Sequence, residues 1–149
     1  MLGAERFVFP ALADELVALR PSIVSHACKS TGTGYFGDRI VGATLPHAVE
    51  HLAIDLLVEH FSKAPIPTLT ETFSPTFAGV TTWLDREKGC MRVRVGCASS
   101  KPYERVVCAS SEPCEQASCA NSESAAYSRA IEDALVDGVQ IINQLLARL

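Results

Sequence analysis

A helix that is apolar around most of its circumference is the feature that most limits how this chain can fold. Residues 45–61 read LPHAVEHLAIDLLVEHF, and on a helical wheel only Ala48, Asp55 and Glu59 form a clearly polar edge. Thr44 is placed to cap the start of this helix. A helix of this kind has to be covered by other elements, so we expect it at the centre of the fold.

The rest of the chain supplies elements that can cover this helix. Apolar and polar residues alternate in CMRVRVGC, as in a strand, and the loop DREKG joins it to TFAGVTTWLD as a hairpin. In chain order we first predict a helix that ends at Pro21, a short strand, and a loop holding His26 and Cys28. The central helix follows from about residue 46 to 62. After it come the hairpin, a third strand at 103–107, and a helix from about residue 122 to the C-terminus. This order predicts a single α+β domain over residues 1–149, with helices packed on one face of a small antiparallel sheet.

Two segments between these elements read as connections. Residues 63–75 contain three prolines, and residues 98–121 are rich in Ser, Ala and Cys, as in a surface loop or an insertion. In the second segment, Cys108, Cys114 and Cys119 lack the C-x-x-C spacing of a zinc knuckle. They are either surface thiols or the source of one metal ligand.

Composition and charge narrow the class of protein. Hydrophobic residues make up 48% of the chain and charged residues 20%, as in a globular domain. The formal net charge of -4 argues against nucleic acid or an anionic membrane as a partner. No signal peptide or membrane-spanning run is recognisable, so we expect a cytoplasmic protein whose cysteines are thiols or metal ligands. The sequence leaves the oligomeric state open, a homo-oligomer included.

The central helix carries a pattern that predicts a metal site. His47 and His51 are four residues apart, so their side chains lie on one face of the helix, and Glu50 lies on the same side. Two imidazoles one turn apart can fill two positions of a tetrahedral zinc ion, and a neighbouring carboxylate can accept a proton from water. The zinc-protease motif H-x-x-E-H has this order. We therefore predict His47 and His51 as zinc ligands and Glu50 as the catalytic base.

A zinc site of this type needs a third protein ligand. Glu132 lies at the edge of the apolar stripe of the last helix and could reach inward, so it is the predicted ligand. His26, Glu71 and the cysteines of the loops are the alternatives.

Three further residues are predicted to contact a substrate. Arg92 and Arg94 share one face of the strand CMRVRVGC and could line a groove for carboxylates, although such residues also form the solvent face of edge strands. His26, in the loop before the central helix, is the third.

The segment RPSIVSHACKSTGTGYFGDRIVGATLPHAVEHLAIDLL resembles the N-terminal domain of cyanophycin synthetases. In that domain a histidine next to a cysteine and a glycine-rich stretch precede a helix similar to G-T-x-L-x-H-x-x-E-H-x-A-x-E-L. The residues that match are His26, Cys28, Gly34, Phe36, Gly42, Thr44, Leu45, His47, Glu50, His51, Ala53 and Leu56. The resemblance covers about residues 15–97 and, more loosely, the last helix.

This resemblance implies a freestanding relative of one synthetase domain. The domain is associated with binding of the Asp- and Arg-containing polymer and, in some members, with a hydrolytic metal site on the H-x-x-E-H motif that trims the polymer. By this resemblance His47 and His51 are ligands and Glu50 is the base. The ATP-dependent ligase domains have no counterpart in this sequence, so hydrolysis or binding of a peptide-like substrate is expected and synthesis is not.

Two other families share parts of the pattern. Pitrilysin-type peptidases have H-x-x-E-H with a later helical glutamate as third ligand, which is similar to the proposal for Glu132. S-ribosylhomocysteine lyases are small α+β proteins with a histidine pair on a helix, but SPTFAGVT lacks the cysteine expected there and the downstream C-G-T motif is missing. The sequence thus predicts a zinc-dependent peptidase or amidase. A non-catalytic binding module of the same fold and a lyase on a small-molecule thioether are the alternatives.

Overall fold

The computed structural model describes residues 7–29, 32, 34–63, 77–97, 103–108 and 125–149. Its helices are α1 (Pro10–Leu19), α2 (Leu45–Lys63) and α3 (Ala125–Leu146), and its strands are β1 (Phe77–Asp85), β2 (Cys90–Cys97) and β3 (Tyr103–Cys108). Two short 3₁₀ helices, Pro21–Ser25 and Phe36–Arg39, lie between α1 and α2. The α+β class is therefore confirmed, and the predicted connection at residues 63–75 lies outside the described residues except for Lys63.

The three strands form one antiparallel sheet in the order β1-β2-β3. The predicted hairpin joins β1 to β2, and Gly89 closes its turn with a φ of 66°, a conformation that favours glycine. Before the turn, the Asp85 carboxylate accepts hydrogen bonds from the backbone N–H groups of Glu87 and Lys88, both at 3.0 Å. This local chemistry explains why the hairpin could be predicted from sequence.

The alternation predicted for β2 is present. Met91, Val93 and Val95 are buried, whereas Arg92 and Arg94 are half-buried on the other face. Helix α2 packs on β1 and β2 and also against α3, and α3 in turn contacts β3. Gly138 of α3 permits this close approach, since a Cβ there would lie 3.3 Å from the carbonyl oxygen of Val49.

The start of α2 follows the predicted capping. The backbone N–H of His47 donates to the Thr44 hydroxyl over 3.3 Å, and the Ala48 N–H bonds to the Thr44 carbonyl at 3.0 Å. This cap orders the helical turn that carries His47.

We expect Thr44→Ala to lower the free energy of unfolding by about 0.5–2 kcal/mol, because a helix N-terminus loses its side-chain acceptor. Urea denaturation measures the change. Ser62→Ala, which removes an exposed hydroxyl near the other end of α2, is the matched control and should change the midpoint less. Equal midpoints for wild type and Thr44→Ala would show that the cap contributes nothing.

Two predictions about local structure are wrong. The segment after Pro21 forms a 3₁₀ helix rather than a strand, because proline starts a helical turn and the N–H groups of Ile23 and His26 bond back three residues. The polar edge assigned to α2 is largely covered, since Ala48 and Asp55 are buried.

No helix in the described ranges is both long and apolar enough to cross a membrane.

Candidate metal centre

Three possible ligand atoms come together beside the first turns of α2. The Nε2 atoms of His47 and His51 are 3.1 Å apart, and the Cys28 Sγ is 3.4 Å from the His47 Nε2. One donor atom from each residue lies within 4.8 Å of the other two. Among the described residues, this is the group of His, Cys, Asp and Glu side chains that could hold a metal ion.

The loop before α2 brings Cys28 to this position. The Cys28 N–H donates to the Gly34 carbonyl at 2.9 Å, and the Phe36 N–H donates to the His26 carbonyl at 2.8 Å. These two bonds close the loop, so the glycine-rich stretch returns along the segment that holds His26 and Cys28. Cys28 is buried and is not in a disulfide.

The spacing of the donor atoms fits a tetrahedral ion. Zinc–nitrogen bonds of about 2.05 Å at tetrahedral angles place two nitrogens about 3.3 Å apart, and a zinc–sulfur bond of about 2.3 Å places sulfur about 3.6 Å from nitrogen. The observed separations, 3.1 Å for the two nitrogens and 3.4 Å from Cys28 sulfur to His47 nitrogen, need a movement of only a few tenths of an ångström. These two pairs of donor atoms are therefore spaced as they would be around one ion, and the Cys28–His51 pair lies within 4.8 Å.

The aromatic ring of Phe36 covers the two imidazoles. Phe36, which is fully buried, stacks on His51 with ring centroids 4.0 Å apart and on His47 at 5.5 Å. Burial lowers the pKa of His47, and burial together with the neighbouring His47 and His26 lowers the pKa of His51 to about 3. Both imidazoles are thus neutral at pH 7, the form that binds metals.

Glu50 lies next to this group on α2 and faces β1. Its carboxylate accepts a 2.5 Å hydrogen bond from the Thr81 hydroxyl. A Cβ at Gly79 would be 2.5 Å from the Glu50 Cγ, so glycine leaves the space that this side chain fills. Burial raises the pKa of Glu50 to about 7, although the bond from Thr81 acts in the opposite direction. The group is therefore a buried carboxyl that exchanges a proton near neutral pH.

A second buried carboxylate, that of Asp55, lies beside His26 on the edge of the ring away from His51. Asp55 accepts from Arg20 and from Ser22 at 2.5 Å each, and its Oδ1 lies 3.2 Å from the His26 Nε2. Burial alone would raise the pKa of Asp55, but the bonds from His26, Ser22 and Arg20 outweigh it and lower the pKa to about 2. Asp55 was expected on a solvent-facing edge, and it is buried because these partners from outside α2 cover it.

The predicted metal and base residues are only partly brought together. His47 and His51 belong to the donor group, and Glu50 is buried beside them. Glu132 is half-buried on α3 and is not in the group of donor atoms formed by the described residues, in which Cys28 takes the third place.

The predicted substrate contacts do not form one surface. Thr81, which bonds to Glu50, is directly opposite Val93 in the sheet, so both side chains lie on the face toward α2. Arg92 and Arg94 flank Val93 and therefore project from the opposite face. They lie on the face of the sheet away from α2 and the histidines, and their contact with a substrate stays a prediction. His26 does lie beside the site, with its Nδ1 3.5 Å from that of His51.

Cys28 was predicted only as one of several alternatives for the third ligand. It matched the cysteine of the motif used for the family resemblance, and that match was the signal that could have identified it as a ligand. Of the alternatives, Glu71, Cys114 and Cys119 lie outside the described residues, and Cys108 is described only as the last residue of β3.

No protein-family model, curated protein or solved structure matches this chain. The resemblance to the cyanophycin synthetase domain therefore stays a prediction from the motif.

Proposed function

We propose that this protein is a zinc-dependent hydrolase that cleaves an amide bond in a peptide-like substrate. The observation that carries the proposal is the convergence of Cys28 Sγ with the Nε2 atoms of His47 and His51 in a mostly buried position. A cysteine sulfur and two imidazole nitrogens that converge within bonding range of one point form a donor set that a divalent cation can bind.

The donor set favours zinc and a catalytic type of site. One thiolate and two imidazoles suit zinc, whereas calcium and magnesium prefer oxygen ligands. Structural zinc sites have four protein ligands, but catalytic sites have three and keep one position open. Within the described part of the chain, Cys28, His47 and His51 provide three.

Zinc at such a site acts as a Lewis acid on a carbonyl oxygen and makes water a stronger nucleophile at neutral pH. Glu50 would accept the proton of the attacking water and return it to the leaving amine. Its position supports this role, because it is one helical turn from His47 and adjacent in sequence to His51. Gly79 leaves room for the carboxylate, and Thr81 orients it. The resemblance to the cyanophycin synthetase domain implies a substrate that contains Asp and Arg.

A metal-binding module without turnover is the second candidate. The observation that favours it is the bond between Glu50 and Thr81, which holds the carboxylate toward the sheet and outside the group of donor atoms. Such a module would bind the same peptides without cleaving them.

Metal analysis of protein purified without a histidine tag tests the site. We expect about one zinc per chain in the wild type and none in His47→Ala/His51→Ala, because one remaining ligand cannot hold the ion. Cys28→Ser should also lower the zinc content strongly.

The control is His60→Ala, because His60 is an exposed histidine of the same helix and its loss should leave the zinc content unchanged. A folded wild-type protein that binds no zinc even when zinc is added would overturn the proposal.

A further inference from the structure

A chain of contacts joins the candidate metal centre to a buried ion pair. The His51 Nδ1 lies 3.5 Å from the Nδ1 of His26, and the His26 Nε2 lies 3.2 Å from the Asp55 Oδ1. Asp55 is fixed at its other end, where Arg20 donates to Oδ2 from both Nε and Nη2 at 2.5 Å. The other ring nitrogen of His51, Nε2, is the one that faces the metal position.

From this chain we infer that Asp55 and His26 set the tautomer of His51, so that its Nε2 lone pair is directed at the metal position. Both are positioning residues, and neither touches the substrate in this proposal. The inference rests on the proposed function for its purpose, but the tautomer itself is a property of the metal-free protein.

The ionised Asp55 determines, in three steps, which ring nitrogens of His26 and His51 carry protons. Asp55 bonded to an arginine is ionised and can only accept hydrogen bonds, so a neutral His26 must carry its proton on Nε2. The Nδ1 of His26 is then an acceptor. It can pair with the Nδ1 of His51 only if His51 carries its proton there, which leaves the His51 Nε2 unprotonated.

Binding of a metal by the His51 Nε2 would require the same tautomer. A ligand bound through Nε2 must hold its proton on Nδ1, and metal-bound histidines almost always donate this N–H to an acceptor. The acceptor in reach of His51 is His26, backed by Asp55. The two Nδ1 atoms are 3.5 Å apart, at the long end of the range for a hydrogen bond, and NMR of the imidazole nitrogens is the direct test of the tautomer.

The close approach of the two ligand imidazoles provides an independent constraint. Their Nε2 atoms are 3.1 Å apart, and in the metal-free protein one of them must carry a proton to avoid lone-pair repulsion. If His51 is unprotonated at this atom, the proton is on His47. The metal-free protein is therefore expected to show different tautomers for the two histidines of one motif.

Asp55→Asn is the variant that separates this proposal from a purely structural role. An asparagine whose oxygen accepts from Arg20 presents its NH₂ group to His26, which must then accept at Nε2 and carry its proton on Nδ1. His26 would donate to the His51 Nδ1 and move the His51 proton to Nε2, where it blocks the metal. Glu59→Gln is the matched control, because Glu59 is another carboxylate of α2 bound to Arg20.

The experiment combines nitrogen NMR of the imidazoles with zinc titration in the presence of a competing chelator, both at neutral pH. We expect the metal-free wild type to show His51 protonated on Nδ1 and His26 on Nε2. Asp55→Asn should bind zinc about 10- to 100-fold more weakly, and Glu59→Gln should stay within about twofold of the wild type.

A wild-type spectrum with His51 protonated on Nε2 would overturn the inference, and so would a folded Asp55→Asn variant that binds zinc as tightly as the wild type. If Asp55→Asn does not fold, the wild-type spectrum decides alone. If the wild type shows the expected tautomers but binds no zinc, the inference about His51 is upheld and the proposed function is refuted. The two failures are therefore distinguishable.

Discussion

Replacing Glu50 by glutamine is expected to lower the rate of peptide hydrolysis on the order of 10²- to 10⁴-fold, the usual contribution of a general base. Glutamine has nearly the same size and can still accept the hydrogen bond from Thr81, so the buried contacts seen for Glu50 are retained. It cannot accept a proton. The loss should therefore fall on kcat, while the zinc content and the unfolding midpoint stay close to those of the wild type or rise.

The measurement is turnover of Asp- and Arg-containing peptides by protein with a known zinc content. Glu59→Gln makes the same chemical change on the same helix, away from the donor group, and should retain wild-type turnover. Undiminished hydrolysis by Glu50→Gln would exclude Glu50 as the base. If the wild type binds the peptides but never cleaves them, the binding module becomes the better description.

Much of the fold could be predicted because its main signals are local. The alternation in β2, the loop ending in Gly89 and the cap at Thr44 each depend on residues within a few positions of one another, and all three are present in the structure. The wrong strand after Pro21 also has a local cause. A short apolar piece fits a strand or a helical turn equally well, and the proline at its start decided for the turn.

The candidate ligands and base also differ in whether a local sequence signal places them. His47, Glu50 and His51 lie on one helix, so the helical period alone placed them on a common side. The third donor, Cys28, is 19 residues from His47, and its position depends on how the glycine-rich loop closes. No sequence period encodes such a contact.

On the polar edge of α2, the helical wheel predicted a solvent-facing carboxylate where the structure has a buried one. A helical wheel treats a carboxylate as a solvent-facing group, which holds for most of them. Asp55 is an exception because Arg20, 35 residues earlier in the chain, turns back over α2 and pairs with it. A buried ion pair of this kind can be recognised only when the partner's position is known.

The second prediction with a large expected effect concerns the contribution of Asp55 to the free energy of unfolding. Asp55→Ala should lower the free energy of unfolding at pH 7 by about 3–5 kcal/mol, because it leaves the Arg20 guanidinium and two other donors without their buried acceptor. Urea denaturation of the metal-free protein measures this loss, and Glu59→Ala, which removes the exposed partner of the same arginine, should have a much smaller effect.

The pH dependence of the same difference identifies the carboxylate as its source. The pKa of Asp55 in the folded protein is about 2, below its ordinary value of 3.8, so the unfolded chain takes up the proton first as the pH falls. The stabilisation is complete above about pH 4 and is lost as the pH falls through about 2, a change of about 2 kcal/mol. The difference between wild type and Asp55→Ala should therefore narrow between pH 4 and pH 2. A difference that stays constant over this range would mean that Asp55 stabilises the protein by packing rather than by its charge.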